Sequence, residues 1–246
     1  MNNSRATVGF ALGNLLLAVS IIGIGVTSIA SRAYLAGLEV SGINDSAMLF
    51  SIASGALLVL LGSCLLVPAS RRPAAIILTF YLLIWLIASD LPDIVKSHFT
   101  DGWTVGGETL AIAGVTMLSG REAWRRYGSW FFGVSLFIFG AMHYAYHSAV
   151  AGMVPTWIPR PLFWAYLTGT AMILGGVSVL SGLLARLAGI LLAVMFFSWV
   201  VLIYVASLLS DVHSADTWAN LFITLAMSAG GCLVFANADR RTLRSD

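Results

Sequence analysis

Charge is what this sequence has least of. Only 10% of its 246 residues are Asp, Glu, Lys or Arg, against 59% hydrophobic residues and a mean hydropathy of +0.92. A soluble domain carries about 25% charged residues, so this chain cannot clothe a water-facing surface. Cysteine is scarce too: Cys64 and Cys232 are the two, without a CxxC spacing or a disulfide framework. A thiol–disulfide relay needs reactive pairs, and these two thiols read instead as small buried hydrophobes. No nucleotide motif, phosphate loop, Ser-His-Asp arrangement or long soluble domain is recognisable. A substrate must therefore be small, lipid-borne or delivered by a partner. The net charge of +2 comes from arginines scattered in short loops rather than gathered on one surface, which argues against nucleic acid as a partner.

Apolar runs are what the chain has in abundance. A helix needs about 20 apolar residues to cross the roughly 30 Å hydrocarbon core. Eight runs qualify, near 8–30, 47–67, 73–90, 104–119, 129–147, 162–183, 186–209 and 217–237. The expected fold is an all-α, polytopic membrane protein whose first partner is the lipid bilayer. The first run follows Arg5 as a secretory signal would, but it exceeds the usual core of about 7–15 residues and reads as a retained span. The fourth contains Gly106, Gly107 and Glu108, so its outer boundary is the least defined.

Basic residues set the orientation. With a cytoplasmic amino terminus, that side holds Arg5, Arg71, Arg72, Arg121, Arg125, Arg126, Arg186, Arg240, Arg241 and Arg244. The other side holds Arg32, Lys96 and Arg160. An even number of spans returns the carboxyl terminus to the cytoplasm, in a bacterial-type inner membrane.

A shift of 115 residues lays the first half on the second without a gap. Gly13 falls on Gly128, Val19-Ser20 on Val134-Ser135, Gly25 on Gly140 and Arg71 on Arg186. His98-Phe-Thr-Asp101-Gly-Trp103 falls on His213-Ser-Ala-Asp216-Thr-Trp218, and a shared H-x-x-D-x-W is a costly coincidence. The expected organisation is a four-helix repeat over 1–119, a basic cytoplasmic linker over 120–127 and a second repeat over 128–246. Repeats with an even number of spans insert the same way up, related by a pseudo-two-fold axis along the membrane normal.

The halves differ where chemistry is richest. Ser28 and Arg32 stand in the first half where His143 and His147 stand in the second. On this topology all four histidines (His98, His143, His147, His213) lie at the non-cytoplasmic side, with Asp90, Asp93, Asp101, Asp211, Asp216 and Glu108. His143 and His147 sit at i and i+4, hence on one face of a helix. Without a Glu after the first His this is no zincin motif, and interfacial histidines bonded to water or carbonyls outweigh a metal site. Trp103, Trp157, Trp164 and Trp218 read as an interfacial aromatic belt before a stacking platform. A carboxylate inside the boundary costs about 2.5–3.5 kcal/mol at mid-span, which singles out Glu108 in the first half.

The second half resembles the DoxX-like membrane family. The resemblance rests on GAMHYAY, VPTWIPRPLFWAYLTGTAMILGGVSVL, RLAGILLAVMFFSWVVLIY and DVHSADTWANLFITLAMSAG, and covers roughly 128–237. The first repeat carries it mainly through H-F-T-D-G-W and the following E-T-L-A. The family's Gly-x-x-His-Phe/Tyr element maps onto Gly140, His143 and Tyr144, with Met142 where Glu is frequent. Its P-x-W-I-P loop maps onto Pro155, Trp157, Ile158 and Pro159, and its Trp-Thr/Ala-Asn element onto Trp218 and Asn220. The resemblance implies four-helix units, here in tandem, and a membrane protein associated with redox chemistry.

Three functions are consistent with these residues, and whether the chain is an enzyme stays open among them. The first is a quinone-linked or redox-partner subunit. In it His143 and His147 meet a quinol, Glu108, His98 and His213 pass protons, and Trp157, Trp164, Trp218 and Asn220 frame the headgroup. The second is a small-solute or lipid transporter using the cleft between repeats, and the third a structural assembly factor.

Overall fold

Among the described residues the connections between helices are short, the 153–160 loop being the longest. The computed structural model describes residues 2–31, 45–96 and 101–245, and among these residues there is no strand. In chain order the helices are α1 (Asn2–Ser31), α2 (Asp45–Leu66), α3 (Pro68–Trp85), α4 (Leu91–Lys96), α5 (Asp101–Ser119) and α6 (Arg125–Ala145). They continue with α7 (His147–Gly152), α8 (Pro161–Ser181), α9 (Ala185–Trp199), α10 (Ala206–Ser210) and α11 (Ala215–Ser245). A π turn, Leu86–Asp90, joins α3 to α4, and another, Val200–Val205, joins α9 to α10.

The breaks have local causes. Pro68 opens α3 at its first position after an extended Val67, where its missing N–H costs nothing. The last carbonyls of α2 are then bonded by side chains from the next helix: Ser70 Oγ donates to Cys64 O (2.8 Å) and Arg71 Nε to Leu65 O (3.1 Å). Gly182 ends α8 in the left-handed region (φ 79°), its N–H donating to Ser178 O at 3.0 Å.

Six helical stretches are long and apolar enough to cross a membrane: Ser4–Ser31, Met48–Leu66, Pro68–Asp90, Pro161–Ser181, Ala185–Ser210 and Ala215–Ala238. Eight were expected. α5 and α6 form where the sequence predicts helices but fall outside this set, because glycines, Glu108 and His143 dilute their apolar character. With six such helices the chain is a polytopic helical membrane protein.

α1 and α11 pack along each other at the centre. α1 also meets α2 and α5; α11 meets α9 and α5; α6 lies between α5 and α8. Leu17, Ile21, Val115, Phe132, Leu136 and Leu233 are buried in the shared core. Paired glycines let backbones touch. A Cβ on Gly25 would stand 2.6 Å from Gly55 O, one on Gly114 2.8 Å from Gly128 O, and one on Gly231 2.7 Å from Gly189 O. Such close approach supplies the packing that lipid tails do not drive. The outward faces are apolar, with Ile77, Phe80, Ile84, Leu174, Leu191 and Val194 exposed, as a bilayer requires.

Candidate functional site

The two singled-out histidines do not share one helical face. α6 ends at Ala145 and α7 begins at His147, because Tyr146 leaves helical geometry (φ −111°, ψ 33°). The i, i+4 spacing assumed an unbroken helix, and this kink corrects it. His143 is half-buried; its Nδ1 donates to Phe139 O at 2.8 Å and its ring stacks on Trp199, centroids 5.7 Å apart. His147 Nδ1 donates to Tyr144 O at 3.1 Å, and its ring stacks on Tyr166 of α8 at 5.6 Å. A carbonyl oxygen only accepts, so Nδ1 carries hydrogen in both rings, which leaves Nε2 as the acceptor nitrogen of a neutral imidazole.

The surroundings are aromatic. Tyr144 and Tyr166 have ring centroids 5.4 Å apart, and Tyr144 Oη is 2.6 Å from Thr170 Oγ1. α8 comes this close because Gly169 faces the histidine: a Cβ there would stand 2.8 Å from His143 Cβ. Tyr144 was named in the sequence only as part of the G-x-x-H-Y element, and Trp199, Tyr166 and Thr170 were not singled out. The signal was present in part, since Tyr144 and Tyr166 fall in the G-x-x-H-Y and F-W-A-Y elements.

The other sequence-predicted residues separate into groups. Trp157 is 71% exposed in the 153–160 loop. Trp164 is exposed too, and its Nε1 donates to Pro159 O (3.1 Å), tying the loop to the start of α8. Trp218 Nε1 donates to Val212 O at 2.9 Å and its ring stacks on Phe222, so it anchors the entry to α11, with Asn220 half-buried beyond it. His213 is exposed, its backbone N–H donating to Asp211 Oδ1 at 3.0 Å. His98 lies outside the described residues, as do the side chains of Asp93 and Asp101. Among the described residues no three His, Cys, Asp or Glu groups are arranged to hold a metal.

Glu108 belongs to a second, internal cluster. Asp90, the last residue of the first π turn, is 2% exposed and packs against Gly106, where an added Cβ would be 3.6 Å from Asp90 Cβ. Glu108, one residue past Gly107 on α5, interacts electrostatically with Asp90 and with Tyr204 of the second π turn. The Tyr204 hydroxyl is hydrogen-bonded to Thr224 of α11. Gly107 faces Phe139, with an added Cβ 3.0 Å from the ring, and Phe139 is the residue whose carbonyl holds His143. The two clusters therefore sit on adjoining turns of α5 and α6. Tyr204 went unnoticed in the sequence, and Thr224 drew attention only as the repeat counterpart of Thr109; both lie in apolar runs.

An apolar helical bundle with a histidine–aromatic cluster and an internal pair of carboxyl groups defines the class, an integral membrane protein with polar groups inside it. Comparison with family models, with curated proteins and with solved structures finds no match to this chain.

Proposed function

We propose that this chain is a DoxX-like, quinone-linked or redox-partner membrane subunit, with the His143/His147 cluster as its ligand site. The observation that carries the reading is the pair of imidazoles, each with Nδ1 bound to a carbonyl and one face on an aromatic ring. Such a ring presents Nε2 as an acceptor for a hydroxyl beside a flat apolar wall, which fits a quinol headgroup. A bound quinone would supply two-electron, two-proton chemistry. The chain's part is to accept hydrogen bonds at Nε2 of His143 and His147, to hold the headgroup on Tyr166 and Trp199, and to pass protons. Glu108 and Tyr204 lie on the adjoining elements for that purpose, and His213 faces water.

The same reading takes the chain as two four-helix repeats and eight spans, with α5 and α6 crossing the membrane and both termini in the cytoplasm. Supporting it, the offset of 115 residues that aligns the halves brings the π turns Leu86–Asp90 and Val200–Val205 into register. It also carries α2 onto α8, α3 onto α9 and α5 onto α11. The packing of α1 on α11 then has its counterpart in α6 on α5.

The test is quinone binding by purified, detergent-solubilised protein. Replacing His143 and His147 together by alanine should weaken it about tenfold or more, the worth of roughly two hydrogen bonds. Unaltered binding would sink the proposal. A second reading rests on Asp90 and Glu108, whose carboxyl groups adjoin among the inner helices: a small-solute transporter whose path crosses that point. Solute flux in proteoliposomes, abolished by Glu108→Gln and unaccompanied by redox change, would favour it.

A further inference from the structure

Hydrogen bonds fix where the hydrogens point at the contact of α6 with α8. Thr170 Oγ1 lies 2.7 Å from Tyr166 O. The carbonyl only accepts, so the single hydroxyl hydrogen of Thr170 goes to it. Thr170 Oγ1 is then the acceptor in its 2.6 Å bond with Tyr144 Oη, and the Tyr144 hydroxyl donates. His143 Nδ1 gives its hydrogen to Phe139 O, and His147 Nδ1 gives its own to Tyr144 O. All of these hydrogens run inward to oxygens of the chain itself. Lone pairs are what stays open: Nε2 of His143, Nε2 of His147 and Tyr144 Oη accept no hydrogen bond among the described residues. Against these three acceptors stands one fixed donor, the indole N–H of Trp199, whose ring stacks on His143. The hydroxyl of Tyr166, whose ring stacks on His147, can donate or accept.

We propose that this site, on the quinone-linked reading given above, selects the quinol form of its ligand over the quinone form. A quinol carries two O–H donors, whereas the oxygens of a quinone are carbonyls and only accept. Facing Nε2 or Tyr144 Oη, a carbonyl sets lone pair against lone pair and leaves both unpaired, while a hydroxyl pairs with either. A site arranged for a hydroxyl rejects the analogue lacking it, because its own polar groups are then left without partners. The two hydrogen bonds that the paired alanine substitutions remove are made by the quinol. The quinone keeps the stacking surfaces of Tyr166 and Trp199 and the Trp199 N–H, and it leaves the site more readily than the quinol does.

The experiment titrates the full chain in detergent, under argon, with a short-tailed benzoquinone and separately with the quinol made from it. A buffer of about pH 8 stands above the ordinary imidazole range and keeps the rings neutral. The wild type should bind the quinol about tenfold more tightly than the quinone. The same preference should place the midpoint potential of the bound couple about 30 mV above that of the free couple. His147→Lys puts a donor where Nε2 accepts and should bring the two affinities together or invert them. Tyr144→Phe keeps the ring and removes one acceptor, so it should cut the preference severalfold, and it carries the test should the first variant fail to elute as a single species. Equal or tighter binding of the quinone by the wild type, still lost in the His143→Ala/His147→Ala variant, overturns the preference and leaves the quinone-linked reading standing. Unchanged preference in both His147→Lys and Tyr144→Phe overturns it as well. Binding of neither form by the wild type removes that reading and the preference with it.

Discussion

Ser119 and Asn14 meet in the core, the Ser119 hydroxyl donating to Asn14 Oδ1 while Asn14 Nδ2 donates to Phe10 O at 2.5 Å. Asn237 lies on the same level, its Nδ2 donating to Leu118 O at 3.4 Å. Ser119→Ala leaves the Asn14 carbonyl oxygen without that donor and should cost about 1–2 kcal/mol, read as a lower melting temperature in detergent. Glycine contacts should matter more. At Gly231 a Cβ would stand 2.5 Å from Ala193 N, while at Gly152 it would meet nothing within 4 Å. Gly231→Val should therefore destabilise by about 1–3 kcal/mol and push α9 from α11, whereas Gly152→Ala should leave the melting temperature unchanged or slightly higher. Equal effects at the two sites would contradict the packing described for these helices.

At the scale of elements, the two π turns put polar side chains where a regular helix would aim them elsewhere. Deleting Ile203 from the second turn would rotate α10 by about 100° and carry Tyr204 away from Thr224. The loss of melting temperature should exceed that of Tyr204→Phe, which removes one hydrogen bond worth about 1 kcal/mol. These elements also mark what the sequence could reveal. Apolar runs, Pro68 and Gly182 announce helices and their ends, and all eight expected segments are helical. Pro92, which cannot donate to the carbonyl four residues back at Ala88, marks the first π turn, but the second π turn and the kink at Tyr146 carry no Gly or Pro to announce them. At Tyr146 the contacts are tertiary: Trp199 and Tyr166 meet the histidines on either side of the kink from α9 and α8, far along the chain. Sequence spacing singled out His143 and His147 but gave no sign of the kink between them, and it passed over Tyr204.

Across the whole molecule, the proposed orientation makes a direct prediction for labelling. With Cys64 and Cys232 replaced by serine, a cysteine at the position of Trp157, which is 71% exposed, should react with an impermeant maleimide added to intact cells. One at the position of Arg126, also exposed, should react only after the membrane is opened. The reverse pattern would invert the topology, and reaction of both would mean that α6 does not cross. The bias of arginines between loops is enough to suggest this arrangement from the amino-acid sequence. Asp90 stands out in the sequence as a carboxylate at the end of an apolar run, but its packing beside α5 does not, since that depends on how Gly106 lets the first π turn approach α5.

The way α1 lies on α11 while α6 lies on α5 has a bearing on ancestry. If the halves descend from one four-helix chain, that ancestor would have met its twin twice over, first helix against last helix, in a closed symmetric pair. The 120–127 segment then ties together a homodimer that once assembled by collision, freeing each half to drift. Fragments 1–120 and 121–246, made from separate messages in one cell, should still find each other and co-purify. The histidines of one fragment would then be a specialisation that an obligate pair of identical chains could never confine to one side.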